Sequence, residues 1–315
     1  MTNSCLVIGD LNIDLVLSEL KDFPELGKEI TAQNHFLDIG GSGGIFSAIL
    51  SGLGINTYII SKIGNDYFGN FLINKLKNYG VNINQLVIEE VKETGITVNL
   101  SYKNDKYQIS SLSLINSLSI DEIIFGNIKD IGHVHFTSYY MMKGLKNDYI
   151  KLINDIKKSY KGVTFSLDTN DDIENKWGEE IYSILNNIDI LLVNKREALQ
   201  ITNKSNIKDA LNRLSKEVKT VIIKLGREGY IAKYRDNYYQ GGSLFVNFKD
   251  STGAGDNFDA GFIYGFMNNL DIRENLKIAN ICGAKSVEYV GGVGNIKKFR
   301  EIKELIELKN KEGLS

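Results

Sequence analysis

The chain has 315 residues, among them 30 Gly and a single Pro (Pro24), with 37 basic against 39 acidic side chains and a formal net charge of -2 at pH 7. Hydrophobic residues at 43% and charged residues at 24% exclude a disordered chain, a fibrous repeat and a disulfide scaffold. The balanced charge leaves no electrostatic footprint for nucleic acid or an anionic membrane surface.

In chain order, short β-rich runs alternate with amphipathic helical stretches. Cys5–Gly9 is expected as a strand, Gly44–Gly54 as a helix, Thr57–Ser61 as a strand and Tyr67–Tyr79 as a helix ended by Gly80. Strands are expected at His133–Thr137, Val163–Leu167, Ile190–Val193 and Val221–Lys224, with helices near Asn147–Tyr160, Ile173–Asn187 and Ile207–Glu217. These strands are apolar almost throughout, as parallel strands covered on both faces must be. The pattern predicts one α/β domain over 1–315: a doubly wound, mostly parallel sheet with helices on both faces. Leu15–Ser18 with Glu29–Leu37, and Thr97–Tyr102 with Tyr107–Ser111, instead alternate polar and apolar residues. Lying within about 12–39 and 95–112, they predict a small β-sheet projecting from one edge as a lid. A helical tail is expected at Phe299–Lys311.

Cys5 in an apolar run and Cys282 in a helical stretch read as buried free thiols of a reducing compartment. Met1–Ser4 lacks the charged region and cleavage site of a signal peptide, and no run approaches ~18 uninterrupted apolar residues, so the expectation is a soluble cytoplasmic protein with no membrane partner.

The sharpest chemistry lies in Asp250-Ser251-Thr252-Gly253-Ala254-Gly255-Asp256-Asn257-Phe258, which leads into the apolar helix Ala260–Met267. Gly253 and Gly255 permit a tight turn that leaves N–H groups pointing out of a helix N-terminus, where the dipole favours an anion. Asp256, beside those donors, is placed to accept a proton from a hydroxyl attacking a phosphoryl group held there. The bland alternative is a helix capped by Ser251 or Thr252 with an acidic first turn. In Gly9-Asp10-Leu11-Asn12-Ile13-Asp14, alternation puts Asn12 and Asp14 on one side of the chain at the sheet edge where open α/β folds bind ligands. An amide and a carboxylate there suit neighbouring hydroxyls, against the alternative of an Asx turn. Gly40 and Gly41 would let the backbone approach a ligand closely.

The nine-residue segment at 250–258 resembles the C-terminal signature of the ribokinase-like (PfkB) carbohydrate kinases, Asp-Thr-Thr-Gly-Ala-Gly-Asp-x-Phe. Further motifs match in the same order over nearly the whole chain: Gly40-Gly41-Ser42-Gly43-Gly44, Asn194-Lys195-Arg196-Glu197, Lys224-Leu225-Gly226-x-x-Gly229, and Ala279-Asn280 before Gly291-Gly292. The resemblance implies ATP-dependent phosphorylation of a hydroxymethyl group on a small sugar-like substrate. Asp256 would be the base, and the Gly253, Ala254, Gly255 and Asp256 amides would hold the transferring phosphoryl group. Asn12, Asp14, Gly40 and Gly41 would bind the acceptor, and Asn194, Lys224, Gly226, Gly229, Thr252 and Asn280 the nucleotide. Glu197 would hold Mg²⁺ through water, and Asp250 with Thr252 resembles a monovalent-cation site, for which K⁺ is the expected ion. One position departs: the family pattern usually has Asn where this chain has Ile45, which implies a less hydroxylated or differently oriented acceptor.

The same resemblance covers a nucleoside kinase, for which Ile45, Phe46 and Tyr139 are candidates for a base slot. A sugar-binding sensor without turnover is the reading from another class, and the intact Asp256, Asn194 and Glu197 argue against it. His133 and His135 lack the additional ligands of a metal site and read as structural. Tyr139–Met142 and Asp168–Asn170 follow strands at the ligand edge, as pocket lining or as packing and turn; Trp177 reads as packing. Exposed strands in a projecting lid predict dimerisation through the two lids.

Overall fold

In the computed structural model the described residues are 4–294 apart from 23, 103–104 and 113. The expected helix at Phe299–Lys311 lies outside them. The elements in chain order are β1 (Ser4–Ile8), β2 (Asn12–Ser18), β3 (Asn34–Gly40), α1 (Ser42–Gly52), β4 (Thr57–Ile60), β5 (Lys62–Gly64), α2 (Tyr67–Asn78), β6 (Val87–Glu89), β7 (Ile96–Tyr102) and β8 (Asp105–Ser111). They continue with β9 (Ile131–Phe136), α3 (Tyr149–Ser159), β10 (Thr164–Asp168), α4 (Ile181–Leu185), β11 (Ile190–Asn194), α5 (Lys195–Thr202), α6 (Ile207–Leu214), β12 (Thr220–Lys224), β13 (Tyr230–Tyr234), β14 (Asn237–Gly241), α7 (Ala254–Met267) and α8 (Ile272–Ser286).

Eight strands form the main sheet in the order β14-β13-β12-β11-β10-β9-β1-β4. The six strands from β12 to β4 run parallel, and β13 and β14 close the other edge as an antiparallel hairpin. Strand β1 shows why the apolar runs read as they do: all five of its residues are buried. Leu6 and Ile8 join the core under α3 to α6, while Cys5 and Val7 join the core under α1, α2, α7 and α8. The doubly wound sheet with helices on both faces is therefore present.

The second sheet has four strands in the order β3-β2-β7-β8, with β2 and β7 parallel at its centre. β2, β7 and β8 start earlier than alternation suggests, whereas β3 begins later, at Asn34, and runs on to Gly40, which pairs with Asn12. The two sheets meet where β1 hands over to β2 across Gly9–Leu11, so one connection carries residues of both into the same cleft.

Two expected elements differ. The helix expected at Ile173–Asn187 is only Ile181–Leu185. Its first half is held as turns by the Asp172 carboxylate, which accepts from the backbone N–H groups of Glu174, Lys176 and Trp177 at 3.0, 2.8 and 2.8 Å, the local competition by which Asp displaces helix. The β13–β14 hairpin was not expected at all, although it turns on two residues, Arg235 and Asp236, between paired Tyr234 and Asn237. No helix of the described residues is long and apolar enough to cross a membrane. Cys5 and Cys282 are both free and buried.

Candidate active site

The loop Asp250–Gly253 ends with Gly253 in the left-handed region at φ 70° as the N-cap of α7. Only glycine reaches this geometry without strain, and a Cβ here would also lie 2.6 Å from the Cα of Gly292. Asn257, fully buried one turn along, donates to the carbonyls of Gly253 and Gly292 at 2.8 and 2.9 Å and ties the two glycine loops together. Ile45 packs into the same seam, its side chain within 3.1 Å of the Cβ position at Gly253 and 2.4 Å of that at Gly292. The hydrophobic residue that departs from the family pattern is thus a wedge between the N-termini of α1 and α7 that also touches the acceptor side.

Two cavities, of about 580 and 690 Å³, adjoin at this helix end and share Lys224, Gly226, Ser251, Ala254 and Gly255 in their walls. Gly229, Asn280, Phe248 and Ala284 belong to the first, mostly apolar one. Asn12, Asp14, Gly41, Asn194, Glu197 and Asp256 belong to the second, which is polar. Thr252 and Gly253 line the second as well. Gly40 and Asp250 line neither. The missing side chain of Gly40 makes room for Asp14, whose Oδ1 would stand 2.3 Å from a Cβ there. The Asp250 carboxylate accepts from Thr252 N, Thr252 Oγ1 and Gly291 N at 3.1, 2.9 and 2.9 Å and so fixes the loop before α7. Gly229, at φ 90°, is required by the hairpin, since a Cβ there would lie 2.0 Å from the Gly241 carbonyl oxygen.

At the boundary between the cavities, Lys224 Nζ lies 2.8 Å from Asp168 Oδ2 and 2.7 Å from Asp259 Oδ2, all three being largely buried. Burial opposes the charge of Lys224, but the carboxylates of Asp168, Asp259 and Glu197 push its pKa upward. Burial also works against Asp168, yet the Lys224 ammonium holds it down at about 2. Asp259 is pushed well above the usual carboxylate range by its burial, against the pull of Lys224. Asp256 is half-buried in the first turn of α7 and is raised to about 7, by burial first and then by the negative charge of Asp168. The nearby Ser42 side chain and the Lys224 charge act in the opposite sense.

Asn194 and Glu197 form a reciprocal capping box at the start of α5: Glu197 N donates to Asn194 Oδ1 at 3.0 Å, and Asn194 N donates to Glu197 Oε2 at 2.8 Å. The Asn-x-x-Glu spacing is therefore a helix-start signal as well as a family motif. Glu197 is 4% exposed, and burial followed by the charge of Asp168 raises it to about 8. A buried carboxylate short of positive charge, beside an amide and facing the polar cavity, is a donor set that fits one face of a hydrated Mg²⁺. Among the described residues no three His, Cys, Asp or Glu side chains converge to hold a metal on protein ligands alone.

Several residues of the polar cavity are not evident from the sequence: Asp10 binds the first turn of α1, and Thr97 and Ser110 come from the lid. Asn170, read from the sequence as pocket lining or turn, does line the cavity and bonds to Ser42 and Ser138. Asn12 Nδ2 donates to Thr97 Oγ1 at 2.9 Å, and Thr97 and Ser110 share a hydrogen bond of 2.9 Å, so three lid strands are linked across the cavity wall. Alternation along β2, β7 and β8 places these side chains on one face, but only the register brings them together. Phe46 and Tyr139, candidates for a base slot, do not reach the cavity. Phe46 is fully buried and stacked on His135, and Tyr139 packs against Tyr140 and Tyr149. His133 and His135 are buried structural residues, bonded to Thr164 and Ser166, and burial lowers both to about 3.

The model of the pfkB family carbohydrate kinases matches residues 2–298 of the chain. An uncharacterised sugar kinase of Archaeoglobus fulgidus is 27% identical over 242 residues, 77% of this chain and 95% of that protein. An ATP-dependent 6-phosphofructokinase of Thermoanaerobacterium thermosaccharolyticum is 25% identical over 96% of this chain and 94% of its own. Among solved structures, that of an Escherichia coli candidate ribokinase II in complex with ATP and Mg²⁺ superposes with a TM-score of 0.80, at 24% identity and over 96% of this chain and 99% of that one.

Proposed function

Because the chain belongs to the pfkB family of carbohydrate kinases, we propose that it transfers the γ-phosphoryl group of ATP to a hydroxymethyl group of a small sugar or polyol. The observation that carries this reading is Asp256 standing beside the α7 N-terminus where the two cavities adjoin. The apolar cavity suits the adenine end of ATP, with Asn280, Gly226 and Gly229 in its wall. The Gly255 and Asp256 N–H groups have no acceptor among the described residues and are available to phosphoryl oxygens.

In the reaction the acceptor binds against Asn12, Asp14 and Gly41 under the lid. Asp256 takes the proton of the attacking hydroxyl as its oxygen bonds to the γ-phosphorus, and the bond from phosphorus to the ADP oxygen breaks. Lys224, held at the cavity boundary by Asp168 and Asp259, keeps a fixed positive charge 3.3 Å from where a Cβ on Gly255 would be, and so beside the phosphoryl path. Mg²⁺ bound near Asn194 and Glu197 supplies charge neutralisation of the phosphates. The lid keeps water from competing for the phosphoryl group. Asp250 and Thr252 are the place where a monovalent cation such as K⁺ would steady the loop before α7.

A sugar is favoured over a nucleoside because no aromatic side chain among the described residues lines the polar cavity. The test is ADP release from MgATP over a panel of sugars, polyols and nucleosides. Turnover with a sugar or polyol is expected, while ligand-induced thermal shifts without ADP release for any member would point to a sensor. The lid strand β8 exposes Tyr107 and Ile109 at a sheet edge, which supports a homodimer through the lids. Sedimentation at micromolar concentration should give twice the chain mass, and a monomer would dispose of that arrangement.

A further inference from the structure

The polar cavity receives two helix N-termini, and they differ in one respect. At α7 the Gly255 and Asp256 N–H groups are open. At α1, whose first residues Gly41 and Ser42 line the same cavity, all three leading N–H groups are taken by a single residue of the chain. Ser42 N donates to Asp10 Oδ2 at 3.1 Å, Gly43 N to Asp10 Oδ1 at 3.1 Å and Gly44 N to the Asp10 carbonyl at 3.1 Å. Thr137 Oγ1 and Ser138 Oγ add two more bonds to Asp10 Oδ1 at 3.0 and 2.7 Å, and Asp10 is 2% exposed. A built-in carboxylate therefore fills the place an incoming anion would occupy on the acceptor side.

Among the described residues no side chain of the cavity wall replaces that lost anion site. Among the described residues Lys224 is the one cationic side chain in the cavity wall, and its Nζ is already engaged by Asp168 and Asp259 at 2.8 and 2.7 Å. Arg196, at the rim, is held by Asp171 Oδ2 at 2.6 Å and Asn175 Oδ1 at 2.8 Å. Besides the raised Glu197 and Asp256, the wall carries the carboxylates of Asp10, Asp14, Asp171 and Asp172. A phosphate or carboxylate on the acceptor would meet like charge and would have to compete with the transferred phosphoryl group for the open Gly255 and Asp256 N–H groups, while hydroxyls find Asn12, Asp14, Thr97, Gln108 and Ser110.

We propose that the acceptor is an uncharged sugar or polyol, and that Asp10 together with the carboxylates around it selects against sugar phosphates and sugar acids. This rests on the kinase reading and adds the charge class of its substrate. The experiment compares matched pairs: D-ribose with ribose 5-phosphate, D-fructose with fructose 6-phosphate, and D-glucitol with D-gluconate. Each is measured by ADP release with MgATP and by calorimetric binding with ADP present. The uncharged members should bind and react, with the charged partners at least ~10²-fold weaker. A charged member that binds or reacts as well as its uncharged counterpart overturns the proposal and leaves the kinase intact. Binding of uncharged members without ADP release would fail the kinase reading while the charge selection stands.

The Asp10→Asn variant keeps an oxygen acceptor for the α1 amides but removes the charge, and should narrow the gap between paired ligands by ~10-fold. Its melting transition checks folding. Asp14→Asn, which removes a carboxylate of β2 from the same cavity wall, supplies the same measurement should Asp10→Asn not fold. Full discrimination in a folded variant of each would show that these carboxylates are not its source.

Discussion

Asp256 occupies a position where two influences oppose each other. The N-terminus of α7 favours its charged form, yet burial and the nearby Asp168 carboxylate raise it to about 7. A base must be deprotonated to act, so kcat/KM for the acceptor should rise with pH through about 7 and then level. Replacing Asp168 by Asn removes a like charge and frees Lys224 from one partner. Both changes favour the carboxylate of Asp256, and the acid limb should move to lower pH. Asp256→Asn itself should lower kcat by at least ~10²-fold with its melting transition kept. A limb unmoved in Asp168→Asn, or near wild-type turnover in Asp256→Asn, would remove Asp256 from the role of base.

At the scale of elements, the helix end proposed to hold the phosphoryl group is built by close backbone approach. Gly253 combines φ +70° with a Cβ position 2.6 Å from the Gly292 Cα, a backbone atom that cannot swing aside. Gly253→Ala should therefore lose roughly 1–3 kcal/mol in denaturant unfolding. Gly226→Ala, also at positive φ but with nothing within 4 Å, carries only the conformational part and should lose less. Equal losses would mean that the contact with Gly292 is not what holds the loop. This helix end was legible in the sequence because glycines and an acidic first turn are local signals. The group of Lys224, Asp168 and Asp259 was not, since it exists only once β12, β10 and α7 are side by side. The role of Asp10 was hidden in the same way, because its partners lie 32 to 128 residues away. The shortened α4 and the β13–β14 hairpin were readable in principle: Asp172 is a strong competitor for backbone N–H groups, and a two-residue turn between alternating Tyr-rich runs is a hairpin signal.

For the whole molecule, clustering raised carboxyl groups around one polar cleft has a consequence for stability. Glu197 is raised from 4.5 to about 8 and Asp256 from 3.8 to about 7, so between those values the folded chain binds more protons than the unfolded one. Their stabilising share is complete below about pH 4 and is lost as pH rises through about 7 and about 8. His133 and His135, lowered from 6.5 to about 3, act in the opposite sense. Their share is complete above about 6.5 and is lost on acidification toward about 3. The two trends meet near neutrality, and above pH 6.5 the histidines add no slope, so a fall in Tm from pH 6.5 to 8.5 belongs to the carboxyl groups of the cleft. Glu197→Gln keeps a buried neutral group of the same shape and should flatten that fall in differential scanning calorimetry without ligands. A wild-type slope retained in Glu197→Gln would show that Glu197 is already ionised in the folded chain, and with it that the cleft carries more negative charge than the buried Lys224 can offset.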